Sequence, residues 1–149
     1  VGRKKIKKKK LEDKLEFVQG DSENLPFEDN FFDTVMVSFG VRNFENLNMG
    51  LKEIFRVLKP GGNIFVLEFS KPKNFPVKQL FGFYSKAILP FLGSFFSKDK
   101  SAYHYLPASV DAFPEGNNFT NELDQVGFSN SSYKTLTGGI SSIYIAEKP

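Results

Sequence analysis

The chain has 149 residues, 40% of them apolar and 25% charged, which suits one globular domain with a sizeable core; without Cys and with a single His, it offers no disulfide, no thiolate nucleophile and no zinc site. Its formal charge of +3 hides an asymmetry, because seven of the 20 basic residues lie in the first ten, leaving 13 basic against 17 acidic groups over the other 139. A basic excess confined to one terminal stretch is not the spread footprint of a nucleic-acid binder, and no run of 18 apolar residues is present to span a bilayer.

In chain order, residues 1–10 read as the end of a basic helix and Leu15–Val18 as a short strand. The chain opens on Val rather than Met, so an incomplete N-terminus is expected. A turn-rich stretch follows (Gly20, Asp21, Ser22, Asn24, Pro26), and then "FDTVMVSF" at 32–39, nearly continuous apolar sequence that suits a strand buried on both faces. Leu47, Leu51, Ile54, Phe55 and Leu58 recur at helical spacing, on one stripe that faces a sheet. "KPGG" at 59–62 is expected to stop that helix, and "IFVLEF" at 64–69 to form the next buried strand. Strand, helix, strand at this spacing is a right-handed βαβ unit.

Farther on, Val77, Leu80, Phe81, Tyr84 and Ile88 predict an apolar helix broken at Pro90. Residues 101–112 predict a second helical segment interrupted at Pro107, and 119–126 a third that ends at Gly127. Strands at about 128–136 and 140–147 around Gly138-Gly139 read as a closing antiparallel hairpin. The 18 Phe residues, with no Trp, supply either a bulky core or an apolar pocket for something greasy.

Ligands of open α/β sheets sit beyond the carboxyl ends of the strands. Three polar stretches occupy that position: "GDSENLPF" at 20–27, "SFGVRN" at 38–43 and "EFSKP" at 68–72. Asp21, Ser22 and Asn24 are also ordinary turn residues. Arg42 and Asn43 leave a buried strand directly, where packing alone explains charge poorly; a salt bridge to a nearby carboxylate is the alternative reading of Arg42. His104 is a candidate base by chemistry or a structural residue, with Tyr103 and Tyr105 beside it as pocket polar groups.

Residues 20–72, with "SFGVRN" and "LEFSKP" together, and "AYHYLPASVDAFPEG" at 102–116 resemble the quinone-biosynthesis C-methyltransferases of the UbiE/MenG type. The resemblance implies an α/β class I S-adenosylmethionine-dependent methyltransferase fold, Rossmann-like, with a mostly parallel sheet. It also implies that the first two strands and the glycine-rich loop are lacking, since the only paired glycines are Gly61-Gly62 and Gly138-Gly139. Strand 32–39 should then present an apolar edge, and the chain alone should be poorly soluble or fold only around its last four strands. The implied layout is one incomplete domain: 1–74 the remainder of the cofactor-binding core, 75–116 a helical insertion over the substrate, 117–149 a helix and hairpin. By the same resemblance, Asp21, Ser22 and Ser38 bind S-adenosyl-L-methionine, Arg42 and Asn43 act on the substrate, and Tyr103, His104 and Tyr105 line its pocket, with no metal.

The implied substrate is a polyprenylated quinol, demethylmenaquinol before a benzoquinol, in a cytoplasmic protein. Such a substrate allows peripheral contact with the inner face of the membrane, and the reading admits a homodimer. Two rivals stand beside this reading: a non-catalytic quinone- or lipid-surface scaffold, and a class I methyltransferase for another small molecule.

Overall fold

The computed structural model describes residues 2–84 and 101–149, with side chains from residues 4–84 and 105–149. A four-stranded sheet has the order β1-β2-β4-β3, built from β1 (Phe32–Ser38), β2 (Leu58–Phe69), β3 (Ser129–Leu136) and β4 (Ser141–Glu147). β1 runs parallel to β2, while β4 is antiparallel to both β2 and β3. Only one of the three pairings is parallel because these strands include the reversed β4 that closes the sheet. β1 forms one edge, and Met36 on it is 76% exposed.

The segment Leu15–Val18 is not a strand. No neighbour among the described residues pairs with it, and Leu15, Phe17 and Val18 are each about half exposed. The basic helix α1 covers Gly2–Lys8 as expected.

α2 (Leu47–Val57) starts at Asn46, whose side chain accepts the Met49 N–H at 3.1 Å. It buries Gly50, Leu51, Ile54 and Val57. The helix stops one residue before Leu58, which is already extended and opens β2; the strand therefore begins six residues earlier than the apolar run suggests. "KPGG" does not separate helix from strand but sits inside β2 as an irregularity, between the pairs Phe32↔Leu58 and Thr34↔Asn63. A Cβ on Gly62 would stand 2.8 Å from the Lys59 carbonyl and 3.0 Å from that of Asp33, so only glycine lets the backbones approach this closely.

Farther along, α3 (Val77–Phe83), α4 (Ser101–Ala112) and α5 (Asn117–Val126) follow. The expected break at Pro90 lies outside the described residues. Pro107 does not interrupt α4: the missing N–H removes one hydrogen bond without forcing the backbone out of helical angles. α5 ends at Gly127, φ +117°, as anticipated, and the hairpin β3–β4 turns over Thr137–Gly139.

The core lies on one face of the sheet, under α2 and α5. Alternate residues Ile64 and Val66 of β2 and Tyr144 and Ala146 of β4 point there, against Leu51, Ile54, Phe119 and Leu123. Tyr144 is fully buried among the rings of Phe113 and Phe119, and its Oη accepts the Gly116 N–H at 2.9 Å. Burial pushes the Tyr144 phenol above its ordinary value, partly opposed by that hydrogen bond.

Lys148 closes the other end of α2. Its Nζ donates to the carbonyls of Phe55 at 2.8 Å and Leu58 at 2.7 Å and to Asn30 Oδ1 at 2.9 Å, while lying over the Phe55 ring. A cation here meets the negative end of the helix dipole.

Gly50 gives a test of this packing, since a Cβ there would collide with the ring of Phe44, itself packed on the core. Helix propensity alone favours alanine by about 1 kcal/mol, whereas overpacking costs about 1–3 kcal/mol. Gly50→Ala is therefore expected to be net destabilising, read as a lower urea midpoint at unchanged m-value in the full-length protein; a higher midpoint would show that Phe44 gives way freely.

Candidate active site

Residues 21–31 have almost no regular structure, yet their path is fixed along α2. At the helix start, Glu23 Oε1 accepts the Asn46 N–H at 2.6 Å. Midway, the Leu25 N–H donates to Glu53 Oε2 at 2.9 Å. At the helix end, Asn30 and Phe31 donate to the carbonyls of Arg56 and Val57. Arg56 ties these points together: its five N–H donors go to both oxygens of Glu53, to Asp29 Oδ1 and to the carbonyls of Leu25 and Phe27. The Arg56 hydrogen bonds hold the Glu53 carboxyl below its ordinary value against the opposing effect of burial, and Glu53 and Asp29 raise the guanidinium in turn.

This strapping carries Asp21 and Ser22 to the start of α2, which is the carboxyl end of β1. There the chain makes a tight turn: Asp21 Oδ1 accepts the Glu23 N–H at 3.0 Å, and the Asn24 N–H returns to the Asp21 carbonyl at 3.1 Å. Asp21 is exposed, and its Oδ2 has no partner among the described residues. Ser38, the last residue of β1, is exposed at the same end.

Beyond Ser38 the backbone turns sharply. Phe39 adopts φ +54°, uncommon for a bulky residue, and its ring lies 4.6 Å from that of Phe69. The short 3-10 turn Val41–Asn43 follows. Arg42 Nη1 donates to the Phe39 carbonyl and to Glu68 Oε1, each at 2.7 Å, with the guanidinium carbon 5.2 Å from the centre of the Phe69 ring. The ion pair anticipated as the alternative for Arg42 is thus present, and its carboxylate is Glu68, fully buried on β2. Asn43 Oδ1 accepts the Tyr105 hydroxyl at 3.0 Å, which docks α4 onto the turn.

The structure therefore brings Ser38, Arg42, Asn43 and Tyr105 to one end of the sheet, with Asp21 and Ser22 on the α2 side. Tyr103 and His104 fall on α4, but their side chains lie outside the described residues. Residue patterns alone missed Glu68, although it ends the core-facing row Ile64, Val66, Glu68, where an acid is out of place. They also missed the Glu53–Arg56 strap, which is made between segments far apart in sequence.

Past the end of β2 a groove of about 740 Å³ opens between α3 and α4. Phe69, Pro72, Val77, Leu80, Phe81, Leu106, Val110 and Ile140 give it an apolar lining, with Lys71, Lys78 and Asp111 at the rim. Its size is that of small-molecule sites, roughly 300–1,000 Å³. A second, more polar cleft of about 500 Å³ lies across the 70–74 segment, where Glu115 accepts the Lys71 N–H at 2.7 Å. Among the described residues no cluster of His, Asp and Glu has the makings of a metal site, and no helix is long and apolar enough to cross a membrane.

The fold is that of S-adenosylmethionine-dependent methyltransferases of class I: one such enzyme from Aquifex aeolicus superposes with a TM-score of 0.62 at 15% identity, over 99% of this chain and 61% of that one. The chain belongs to the ubiE/COQ5 methyltransferase family, which it matches over residues 1–148. It is 49% identical over 148 residues to the demethylmenaquinone methyltransferase of Bacteroides fragilis, covering 99% of this chain and 60% of that protein. To the ubiquinone/menaquinone biosynthesis C-methyltransferase UbiE of Erwinia tasmaniensis it is 41% identical over 144 residues, 97% of this chain and 57% of that protein. The chain thus spans about three-fifths of the length of these curated relatives.

The strap responds to acid. A carboxyl whose folded value is depressed contributes stability that is present above its unfolded value, near 4.5 for Glu53, and lost as the pH falls through the lower folded value. Hydrogen-exchange protection of the Leu25 amide is expected to drop below that pH. In Arg56→Met the protection should be weak already at neutral pH and should no longer follow the Glu53 titration; an unchanged profile would mean that other contacts hold the segment.

Proposed function

We propose that the protein is an S-adenosylmethionine-dependent C-methyltransferase of quinone biosynthesis, and that its acceptor is a polyprenylated quinol, demethylmenaquinol. The observation that carries this reading is Arg42: a nine-tenths-buried guanidinium with unused donors, at the carboxyl end of the sheet near a large apolar groove. Such a donor edge suits a ring oxygen, and such a groove suits an isoprenoid tail. The named relatives support the same chemistry.

The residues present fit the adenosyl cofactor. Asp21 has one carboxylate oxygen without a partner among the described residues, an acceptor suited to the adenine amino group, and the exposed Ser38 hydroxyl at the end of β1 would serve the methionine portion. S-adenosylmethionine, when bound, supplies an electrophilic methyl group on its sulfonium. The chain's own task is then to hold the quinol ring, stabilise charge on its oxygen and keep water away. Loss of a hydroxyl proton raises electron density on the adjacent ring carbon. That carbon would then accept the methyl group as its bond to the sulfonium sulfur breaks, and would lose its own proton to restore aromaticity.

Arg42 stays protonated at neutral pH, so its role is to stabilise the developing phenolate rather than to take the proton. The Asn43 amide nitrogen is placed for the same oxygen or a water on it, since its Oδ1 is occupied by Tyr105. His104 and Tyr103 remain candidates for the pocket wall and the proton route. In this scheme residues 1–74 belong to the cofactor core, 75–116 cover the substrate and 117–149 close the sheet.

Reversible membrane contact fits the substrate. Phe75, Leu80 and Phe83 are 80%, 65% and 64% exposed around α3, with Lys73 and Lys78 beside them, a combination suited to an anionic lipid surface.

The test is a one-methyl mass gain when the full-length protein meets S-adenosylmethionine and a short-tailed demethylmenaquinol. Arg42→Ala is expected to slow that transfer about 100-fold or more. Asp21→Ala is expected to raise the KM for the cofactor with little change in kcat. Cofactor binding without any methyl gain would point to a different acceptor, and failure to bind the cofactor would overturn the reading.

A further inference from the structure

Two arginines of the fold are used in opposite ways. Arg56, with its side chain 30% exposed, has all five N–H donors satisfied. Arg42 is only 10% exposed and spends both Nη1 donors on the protein; its Nε–H is buried without a partner and its Nη2 makes no hydrogen bond among the described residues. Buried donors are ordinarily paired, so the more buried guanidinium being the less satisfied one requires an explanation.

Glu68 supplies it. The carboxylate is fully buried, in line with Ile64 and Val66 and opposite Ser142 of β4. Its Oε1 accepts from Arg42 Nη1 at 2.7 Å and from the Phe69 N–H at 2.9 Å, and its Oε2 accepts the Arg42 backbone N–H at 3.3 Å. One carboxylate therefore grips both the side chain and the main chain of the same residue, and the Phe69 ring supports the guanidinium face. A buried ion pair is a poor device for stability alone, because desolvation consumes most of its attraction. It is a good device for orientation.

The geometry points to Glu68 as the positioning residue of the site, fixing Nη1 of Arg42 so that the remaining Nη2 donors receive the oxygen of the aromatic substrate. This rests on the quinol-methylating reading above. The Nη2–H donors suit a phenolic or phenolate oxygen. Because Glu68 balances the cation, a neutral quinol enters without stranding a bare charge, and the donors are already aimed when the oxygen becomes negative.

The experiment is a double-mutant cycle on the full-length protein with Arg42→Ala, Glu68→Gln and both together. Two quantities are read: kcat for methyl transfer, and the calorimetric affinity for 1,4-dihydroxynaphthalene without cofactor. Glu68→Gln is expected to lower both about tenfold or more while leaving the cofactor affinity unchanged. The double variant should be no worse than Arg42→Ala alone, because Glu68 acts through Arg42. Losses that multiply in the double variant, or a Glu68→Gln protein equal to wild type, would overturn the assignment.

If Glu68→Gln does not fold, Glu68→Asp keeps the charge but withdraws it by one methylene. The same two readings are expected to fall in that variant, and wild-type values would overturn the proposal. A wild-type protein that binds the diol yet transfers no methyl group would sink the proposed reaction, while the affinity cycle still decides the role of Glu68.

Discussion

Arg56 donates to two carboxylates and two carbonyls, and through them a stretch without regular secondary structure acquires a fixed course along α2. Nothing in residues 21–31 would specify that course locally. Their apolar members are few, and exposed turns are cheap to rearrange. The guanidinium supplies the missing constraint because its planar fork can meet several fixed acceptors at once. Together with the Glu23–Asn46 hydrogen bond at the start of α2, it carries Asp21 and Ser22 to the carboxyl end of β1.

The opposite end of the same design is the turn after β1. Here the sheet register does the placing: β1 pairs with β2 so that Ser38 stands opposite Leu67, and the next core-facing residue of β2 is Glu68. The turn leaves the strand through a left-handed phenylalanine and returns Arg42 over β2. A carboxylate in a row of aliphatic side chains is costly unless it is paired, and the pairing holds the cation against Phe69, whose ring also lines the apolar groove.

Much of this was legible in the residues. The helical stripe of α2, the α5 stop at Gly127 and the closing hairpin all follow from periodicity and turn chemistry, and the structure has them; β1 is a strand as expected, but it lies at the sheet edge with no residue buried rather than covered on both faces. The misses have a common physical origin, long-range pairing. Leu15–Val18 has strand-like composition but no partner to pair with among the described residues, whereas "KPGG" has turn-like composition but is drawn into β2 by Phe32, Asp33 and Lys148 on either side. Pro107 lies inside a helix that tolerates it. Among the site residues, Arg42 and Asn43 were visible because polar groups directly after a buried strand stand out. Glu68 stood in plain view in "LEFSKP" as part of a resemblance, but its partner could not be read from one strand alone.

The cap on α2 extends the same theme into time. The ammonium that satisfies the last carbonyls of the helix comes from Lys148, more than 90 residues away along the chain from Phe55 and Arg56. Closing so long a loop is slow compared with winding a helix. During refolding the βαβ unit of β1, α2 and β2 can therefore assemble from near neighbours, with its carbonyl end still solvated, and the hairpin supplies the final closure. Substitution of Lys148 would then act on the rate of unfolding and hardly on the rate of folding, the signature of a contact absent from the transition state.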